Sequence, residues 1–123
     1  MKIVFKLICQ AAEEYIKRSK DQNKESRLIL KKLEFLKEHM KMNPIYGEII
    51  RKNSLEKNRA LLNAFFQRYD RNELFNLDRC FCCDITRTNW RLLYTLKRDQ
   101  EEDTIYILCF MIVDHKTYEK YFT

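Results

Sequence analysis

Some side chains in the last third of the chain have the chemistry needed to act on a phosphate ester. The guanidinium of Arg91 is a planar fork of donors that matches phosphate oxygens. The imidazole of His115 exchanges a proton near neutral pH, and Lys116 beside it could neutralise phosphate charge. Each residue also has a structural alternative. Arg91 could form a surface ion pair with Asp84 or Asp114. His115 could cap the end of a strand, and Lys116 could be an ordinary solvated lysine.

Two tyrosines near the end of the chain, Tyr118 and Tyr121, could take part in the same chemistry. A phenol ring can stack on a nucleobase, and its hydroxyl can donate to a phosphate oxygen. Alternatively, one of them packs the tail onto the fold together with Phe122. Trp90 and Tyr94 lie one and three positions from Arg91, so on a strand they point to the face opposite to that of Arg91. We predict that these two rings belong to the core.

The chain carries a surplus of positive charge, with 24 Lys and Arg against 18 Asp and Glu, a formal net charge of +6. This surplus favours a polyanionic partner such as nucleic acid, although solubility alone explains it equally well. We expect seven further basic residues to extend a basic surface along an RNA or ribosome backbone. They are Lys52, Lys57, Arg59, Arg68, Arg71, Arg79 and Arg87. Any single one could instead be a solvated helix residue.

Composition excludes several other classes of site. A single Gly and a single Pro leave no glycine-rich loop to cradle a nucleotide phosphate. Three of the five cysteines, Cys80, Cys82 and Cys83, are spaced for neither a disulfide framework nor a paired zinc site, even with His39 or His115. We therefore expect no metal and no cofactor. No export signal or apolar run of about 18 residues is present, so we expect a soluble, cytoplasmic protein.

The 123 residues suit one domain, numbered 1–123. Its first half is predicted to contain a strand followed by helices. Lys2 to Ile8 is rich in β-branched and aromatic residues, which predicts a strand. The next region is helical from Ala11, with a break near Asp21 to Lys24, and it ends at Asn43-Pro44. Ser54 is a predicted N-cap for a second helix. The apolar positions of that helix are Leu55, Leu62, Phe65, Phe66 and Tyr69.

The second half changes to short apolar runs, which predict strands separated by polar breaks at hairpin-like distances. These runs are Leu74 to Leu77, Cys80 to Ile85, Trp90 to Leu96 and Ile105 to Val113. The last of them is apolar on both faces, which favours a central position. Asp114 to Phe122 is a polar and aromatic tail that should cap it. This order predicts an α+β fold, with two or three helices on one face of a mainly antiparallel sheet of four to five strands.

Three segments resemble RelE/ParE-superfamily toxins of type II toxin–antitoxin systems, especially the longer RelE-like members. The segment Asn89-Trp90-Arg91-Leu92-Leu93-Tyr94-Thr95 is similar to the family's aromatic-Arg-Leu-hydrophobic-Tyr strand. The segment from Ile112 to Phe122, which contains Asp114-His115-Lys116, is similar to its closing strand and its basic, tyrosine-bearing end. Asn43-Pro44-Ile45-Tyr46-Gly47 is similar to the turn after the long helix. The family's usual basic cluster on the strand before Arg91 is replaced here by Cys80-Phe81-Cys82-Cys83-Asp84-Ile85.

The resemblance implies a single RelE-like domain with Arg91 on the exposed face of a central strand. It also implies a metal-independent endoribonuclease, or mRNA interferase, that inhibits translation by cutting mRNA on the ribosome and is silenced by a cognate antitoxin protein. The implied catalytic residues are Arg91, His115, Lys116, Tyr118 and Tyr121. An alternative is a non-catalytic member of the same fold that binds RNA, the ribosome or another protein. A third interpretation is a small basic structural protein whose resemblance is accidental.

Overall fold

The computed structural model describes residues 1–21, 23–67, 69 and 79–123, together with all their side chains except that of Phe65. The elements are β1 (Lys2–Leu7), α1 (Cys9–Lys20), α2 (Lys24–Met42), β2 (Glu48–Ile49), α3 (Lys52–Lys57), α4 (Arg59–Phe66), β3 (Phe81–Ile85), β4 (Trp90–Asp99), β5 (Thr104–Asp114) and α5 (His115–Phe122). Arg68, Arg71 and the expected strand Leu74 to Leu77 lie outside the described residues.

The strands form one five-stranded sheet in the order β1-β5-β4-β3-β2. β1 pairs with β5 in parallel, whereas the pairs β2–β3, β3–β4 and β4–β5 are antiparallel. The sheet is therefore mixed, and the α+β class is confirmed. Between β4 and β5 the register shifts at Leu93 and Tyr94, which pair with Met111 and Cys109, so Phe110 is an extra residue in a bulge.

Helices α1 and α2 cover one face of the sheet. Side chains at helical spacing on α2, including Ile29, Leu33, Leu36 and Met40, are buried there against the strands. Asn23 is the N-cap of α2, because its side chain accepts a hydrogen bond of 2.8 Å from the backbone N–H of Ser26. The predicted break between the first two helices and the end of the second at Asn43 are confirmed.

Helices α3, α4 and α5 contribute to a second buried cluster, which corrects the expectation that helices pack on one face only. Leu55, Leu62 and Phe66 are buried in this cluster with Phe110 from β5 and Phe122 from α5. The physical reason is that β5 is apolar on both faces, as its sequence indicates, and each face needs a cover of its own. Buried aromatic pairs such as Phe66 and Phe110, whose ring centroids are 5.5 Å apart, fill this second layer.

Three features of the structure differ from the predictions. Ser54 lies inside α3, whose N-cap is Arg51, so the predicted N-cap is wrong. The tail after β5 is a regular helix, whose N-cap is Asp114. The short edge strand β2 was not predicted. Within the described part of the chain, no helix combines the length and hydropathy needed to cross a bilayer.

Candidate functional site

Arg91 lies on β4, the middle strand of the sheet, directly opposite Asp84 on β3. Its neighbour Trp90 packs against the α1 and α2 side of the core, and Tyr94 is fully buried in the same cluster. The prediction that these two rings belong to the core is thus confirmed. Strand alternation turns Arg91 to the opposite face, beside the second cluster and helix α5.

Three groups surround the guanidinium of Arg91. Its Nε lies 3.3 Å from Asp84 Oδ1, so the surface ion pair considered from the sequence is present. Its centre lies 4.5 Å from the centroid of the Tyr118 ring, which is a cation–π contact. The third group is the thiol of Cys82, whose pKa is raised by burial and lowered in part by the guanidinium. The side chain of Arg91 is 27% exposed and that of Asp84 is 73% exposed, so water screens this pair.

Arg91 and Tyr118 line a solvent-open cleft of about 380 Å³, which we call the Arg91 cleft. Its lining residues are Tyr46, Gly47, Glu48, Cys82, Cys83, Asp84, Arg91 and Tyr118. The cleft combines one guanidinium, two phenols and two carboxylates. The guanidinium can bind a phosphate and the two phenols can stack on an attached ring, whereas the two carboxylates oppose the binding of an anion.

Helix α5 positions Tyr118. Asp114 caps the helix, since its Oδ1 accepts the N–H of Thr117 at 2.8 Å, and this bond lowers the pKa of the Asp114 carboxyl. Tyr118 stacks on the buried ring of Phe122 with centroids 5.6 Å apart. Burial is the main cause that raises the pKa of the Tyr118 hydroxyl, so at neutral pH it remains a hydrogen-bond donor.

The opposite wall of the cleft is the turn after α2, and Tyr94 holds it in place. The backbone N–H of Gly47 donates to Tyr94 Oη at 2.8 Å, and that hydroxyl donates to the carbonyl of Pro44 at 3.0 Å. A Cβ on Gly47 would lie 2.9 Å from the carbonyl oxygen of Cys82, so glycine allows this close approach. One buried tyrosine therefore fixes the position of Tyr46.

His115 is the first residue of α5, and it does not line the Arg91 cleft. Its backbone N–H donates to the carbonyl of Asn89, and its Nε2 lies 2.9 Å from Glu119 Oε1. A second cleft of about 330 Å³ is lined by the β3–β4 turn and also contains Arg87, Arg91 and His115. Arg91 therefore shares one cleft with Tyr118 and the other with His115.

The remaining two predicted catalytic residues are Lys116 and Tyr121. Lys116 is exposed on the first turn of α5. Tyr121 packs against the second buried cluster, with its ring centroid 6.4 Å from that of Phe122. Among the described residues that line the two clefts, neither Lys116 nor Tyr121 is present. The structure thus brings Arg91, His115 and Tyr118 together and places the other two outside this group.

The predicted RNA-contacting residues that the structure describes are all exposed. Lys52 and Lys57 lie at the two ends of α3, and Arg59 begins α4. Arg79 precedes β3, where its guanidinium lies 5.6 Å from the centroid of the Phe81 ring. Arg87 lies in the β3–β4 turn with a positive φ of 66°. Helices α3 and α4 cover the face of the sheet on which Arg91 lies.

Cys82 lies beside Arg91, and we expect its thiol to be a weak nucleophile at neutral pH. Burial raises the pKa of its thiol to about 11, and the Arg91 guanidinium only partly opposes this increase. The thiolate is the reactive form, so alkylation of native Cys82 by iodoacetamide should be slow at pH 7.5. The rate should rise steadily as the pH approaches about 11. In urea-unfolded protein it should level off near an ordinary thiol pKa.

Peptide mapping by mass spectrometry at each pH distinguishes Cys82 from the other cysteines. Cys109 is the matched control, since it is fully buried and burial raises its pKa well above the usual range. It should remain unlabelled throughout the native titration. Rapid native labelling of Cys82 at pH 7.5 would show instead that its thiol is activated.

Tyr46, Glu48 and Cys82 were not among the predicted site residues. These residues come together because β2 pairs with β3, which places Glu48 opposite Cys82. A strand of two residues has no detectable periodicity, so this pairing could not be predicted. In the described part of the chain, no group of three or more His, Cys, Asp or Glu side chains could hold a metal ion. Comparison of the chain with known protein families, curated proteins and solved structures found no match.

Proposed function

We propose that the chain is a RelE-type, metal-independent endoribonuclease, the toxin of a type II toxin–antitoxin pair, and that Arg91 binds the scissile phosphate. The observation that carries this proposal is the position of the Arg91 guanidinium over the Tyr118 ring, in the lining of two solvent-open clefts at one end of the middle strand. The succession of an N-terminal strand, helices and an antiparallel meander supports the same family.

Metal-free cleavage requires a base for the 2′-hydroxyl proton, an acid for the leaving 5′-oxygen and cations for the phosphorane-like charge. We assign the base to Glu48 in the Arg91 cleft and the acid to His115 in the second cleft. Arg91 lines both clefts and stabilises the phosphorane. The neutral Tyr118 hydroxyl donates to a phosphate oxygen. The 2′-oxygen attacks phosphorus and the 5′-oxygen leaves, which gives a 2′,3′-cyclic phosphate and a 5′-hydroxyl end.

Incubation of the purified protein with mRNA in excess chelator, with and without ribosomes, tests this proposal. We expect cleavage that chelator does not prevent and 5′-hydroxyl ends on the products. Expression in a host cell should arrest growth, and a small acidic protein from a neighbouring reading frame should relieve the arrest. Intact mRNA under both conditions would refute the nuclease activity.

A second candidate function, a non-catalytic module of the same fold that binds RNA, the ribosome or a protein, is favoured by two contacts that engage the proposed catalytic groups. Asp84 partly neutralises Arg91, and Glu119 is paired with the imidazole of His115. The two carboxylates occupy groups that catalysis requires, Asp84 the guanidinium and Glu119 the imidazole. Salt-sensitive RNA binding without any cleavage would identify this second function.

The substitution Asp84→Asn tests how strongly the ion pair restrains Arg91. Removal of the carboxylate frees the guanidinium for phosphate, so affinity for single-stranded RNA should increase by roughly two- to fivefold at low salt. Fluorescence anisotropy measures this change. Glu101→Gln is the matched control, because it removes the same charge from an exposed turn between β4 and β5. An equal increase in both variants would show only a general effect of net charge.

A further inference from the structure

Three aromatic side chains form a row on the surface beside the Arg91 cleft. Phe35 and His39 lie one helical turn apart on α2, with ring centroids 4.2 Å apart. His39 and Tyr46 stack with centroids 5.4 Å apart and an interplanar angle of 25°. Phe35 is 54% exposed and Tyr46 is 45% exposed. We call these three residues the aromatic row.

Two exposed aromatic rings leave apolar surface in contact with water, which is unfavourable in free energy. Contact with a ligand would bury this surface. The rings are also ordered by one another and by the turn that Tyr94 fixes. A rigid, solvent-facing row of rings is the usual platform on which proteins stack the bases of single-stranded nucleic acid. Stacking of this kind tolerates any base, because every base has a π face.

The net charge of α2, which carries two of the three rings, favours a polyanion over an apolar partner. Helix α2 carries six basic residues, Lys24, Arg27, Lys31, Lys32, Lys37 and Lys41, against three acidic residues, Glu25, Glu34 and Glu38. The ammonium group of Lys32 lies 6.0 Å from the centroid of the Phe35 ring. Cations beside stacking rings are the combination that binds a nucleic-acid backbone and its bases together.

Tyr46 belongs both to the aromatic row and to the lining of the Arg91 cleft. The aromatic row and the Arg91 cleft are therefore continuous through this residue. We propose that the aromatic row is a base-stacking subsite for the single-stranded RNA next to the phosphate that Arg91 binds. This inference rests on the proposed function, since it places the RNA by the Arg91 cleft.

The test measures binding separately from cleavage. The probe is a fluorescein-labelled 2′-O-methyl oligoribonucleotide, which lacks the free 2′-hydroxyl needed for cleavage. Phe35→Ala should weaken its binding about tenfold by anisotropy, because one stacking contact is lost. Phe35→Tyr should restore binding. Ile16→Ala, which shortens an apolar side chain of similar exposure on α1, should leave the affinity unchanged. Thermal unfolding confirms that each variant folds.

The outcomes separate the aromatic row from the function on which it rests. If Arg91→Ala weakens binding and Phe35→Ala does not, the stacking subsite is refuted while the proposed function stands. If the wild-type protein does not bind the probe, the stacking subsite is refuted, whereas the mRNA cleavage assay with and without ribosomes decides the proposed function. If Phe35→Ala leaves RNA binding intact but abolishes self-association in light scattering, the row is a protein contact and the inference is overturned.

Discussion

Replacement of Arg91 by alanine should reduce the rate of RNA cleavage at least about 100-fold, which is the effect of removing one preorganised charge from a phosphoryl-transfer site. Arg91 is the one cation that lines both clefts among their described residues. Arg91→Lys should recover only part of the activity, because an ammonium group is a point charge and lacks the fork that holds two phosphate oxygens. Product formation over time, in chelator, measures both variants.

Arg98→Ala is the control for this effect. Arg98 is exposed on the same strand, about 23 Å from Arg91 at the usual rise of an extended strand. Its loss removes the same charge without touching either cleft, so cleavage should change by less than about threefold. Equal activity of Arg91→Ala and wild-type protein would exclude Arg91 as the phosphate-binding residue. A loss of activity in both variants would indicate a general requirement for positive charge.

The sequence predicted most of the sheet, because its strands have strong local signals. The runs within β3, β4 and β5 are apolar and bounded by polar segments, and all three strands are present where they were expected. The final helix was not predicted, although its sequence contains a helix-start signal. Asp114 is an N-cap residue, and Thr117, whose backbone N–H it accepts, lies three positions later. The aromatic content of that tail favoured packing against the sheet, which Phe122 does from within a helix.

The site was predicted only as far as local chemistry allowed. Both Asp84 and Asp114 were considered as partners for Arg91, and only the register of the β3–β4 hairpin selects Asp84. Tyr46 and Glu48 reach the cleft through a turn that docks on a side chain nearly fifty positions later. Such a contact depends on tertiary packing, which no periodicity or spacing in one sequence encodes.

Tyr94→Phe should lower the free energy of unfolding by about 1–3 kcal/mol, although only one oxygen atom is removed. The hydroxyl of Tyr94 accepts from the N–H of Gly47 and donates to the carbonyl of Pro44, and phenylalanine leaves both groups without this partner. Burial raises the pKa of Tyr94 well above its usual range, so the hydroxyl remains protonated and keeps both roles up to strongly alkaline pH. Urea unfolding, with the slope unchanged, measures the loss.

The second consequence of Tyr94→Phe is functional. The turn that carries Tyr46 loses its attachment to the core, so RNA affinity should fall together with stability. Tyr106→Phe is the control, since its hydroxyl bonds only to the exposed carboxylate of Glu102 among the contacts described, and its stability should change by less than about 0.5 kcal/mol. Gly47→Ala should reproduce the effect of Tyr94→Phe, because the added Cβ would lie 3.0 Å from Tyr94 Oη and displace the same turn. If Tyr94→Phe is as stable as Tyr106→Phe, the turn is held by other contacts and Tyr94 does not position the cleft wall.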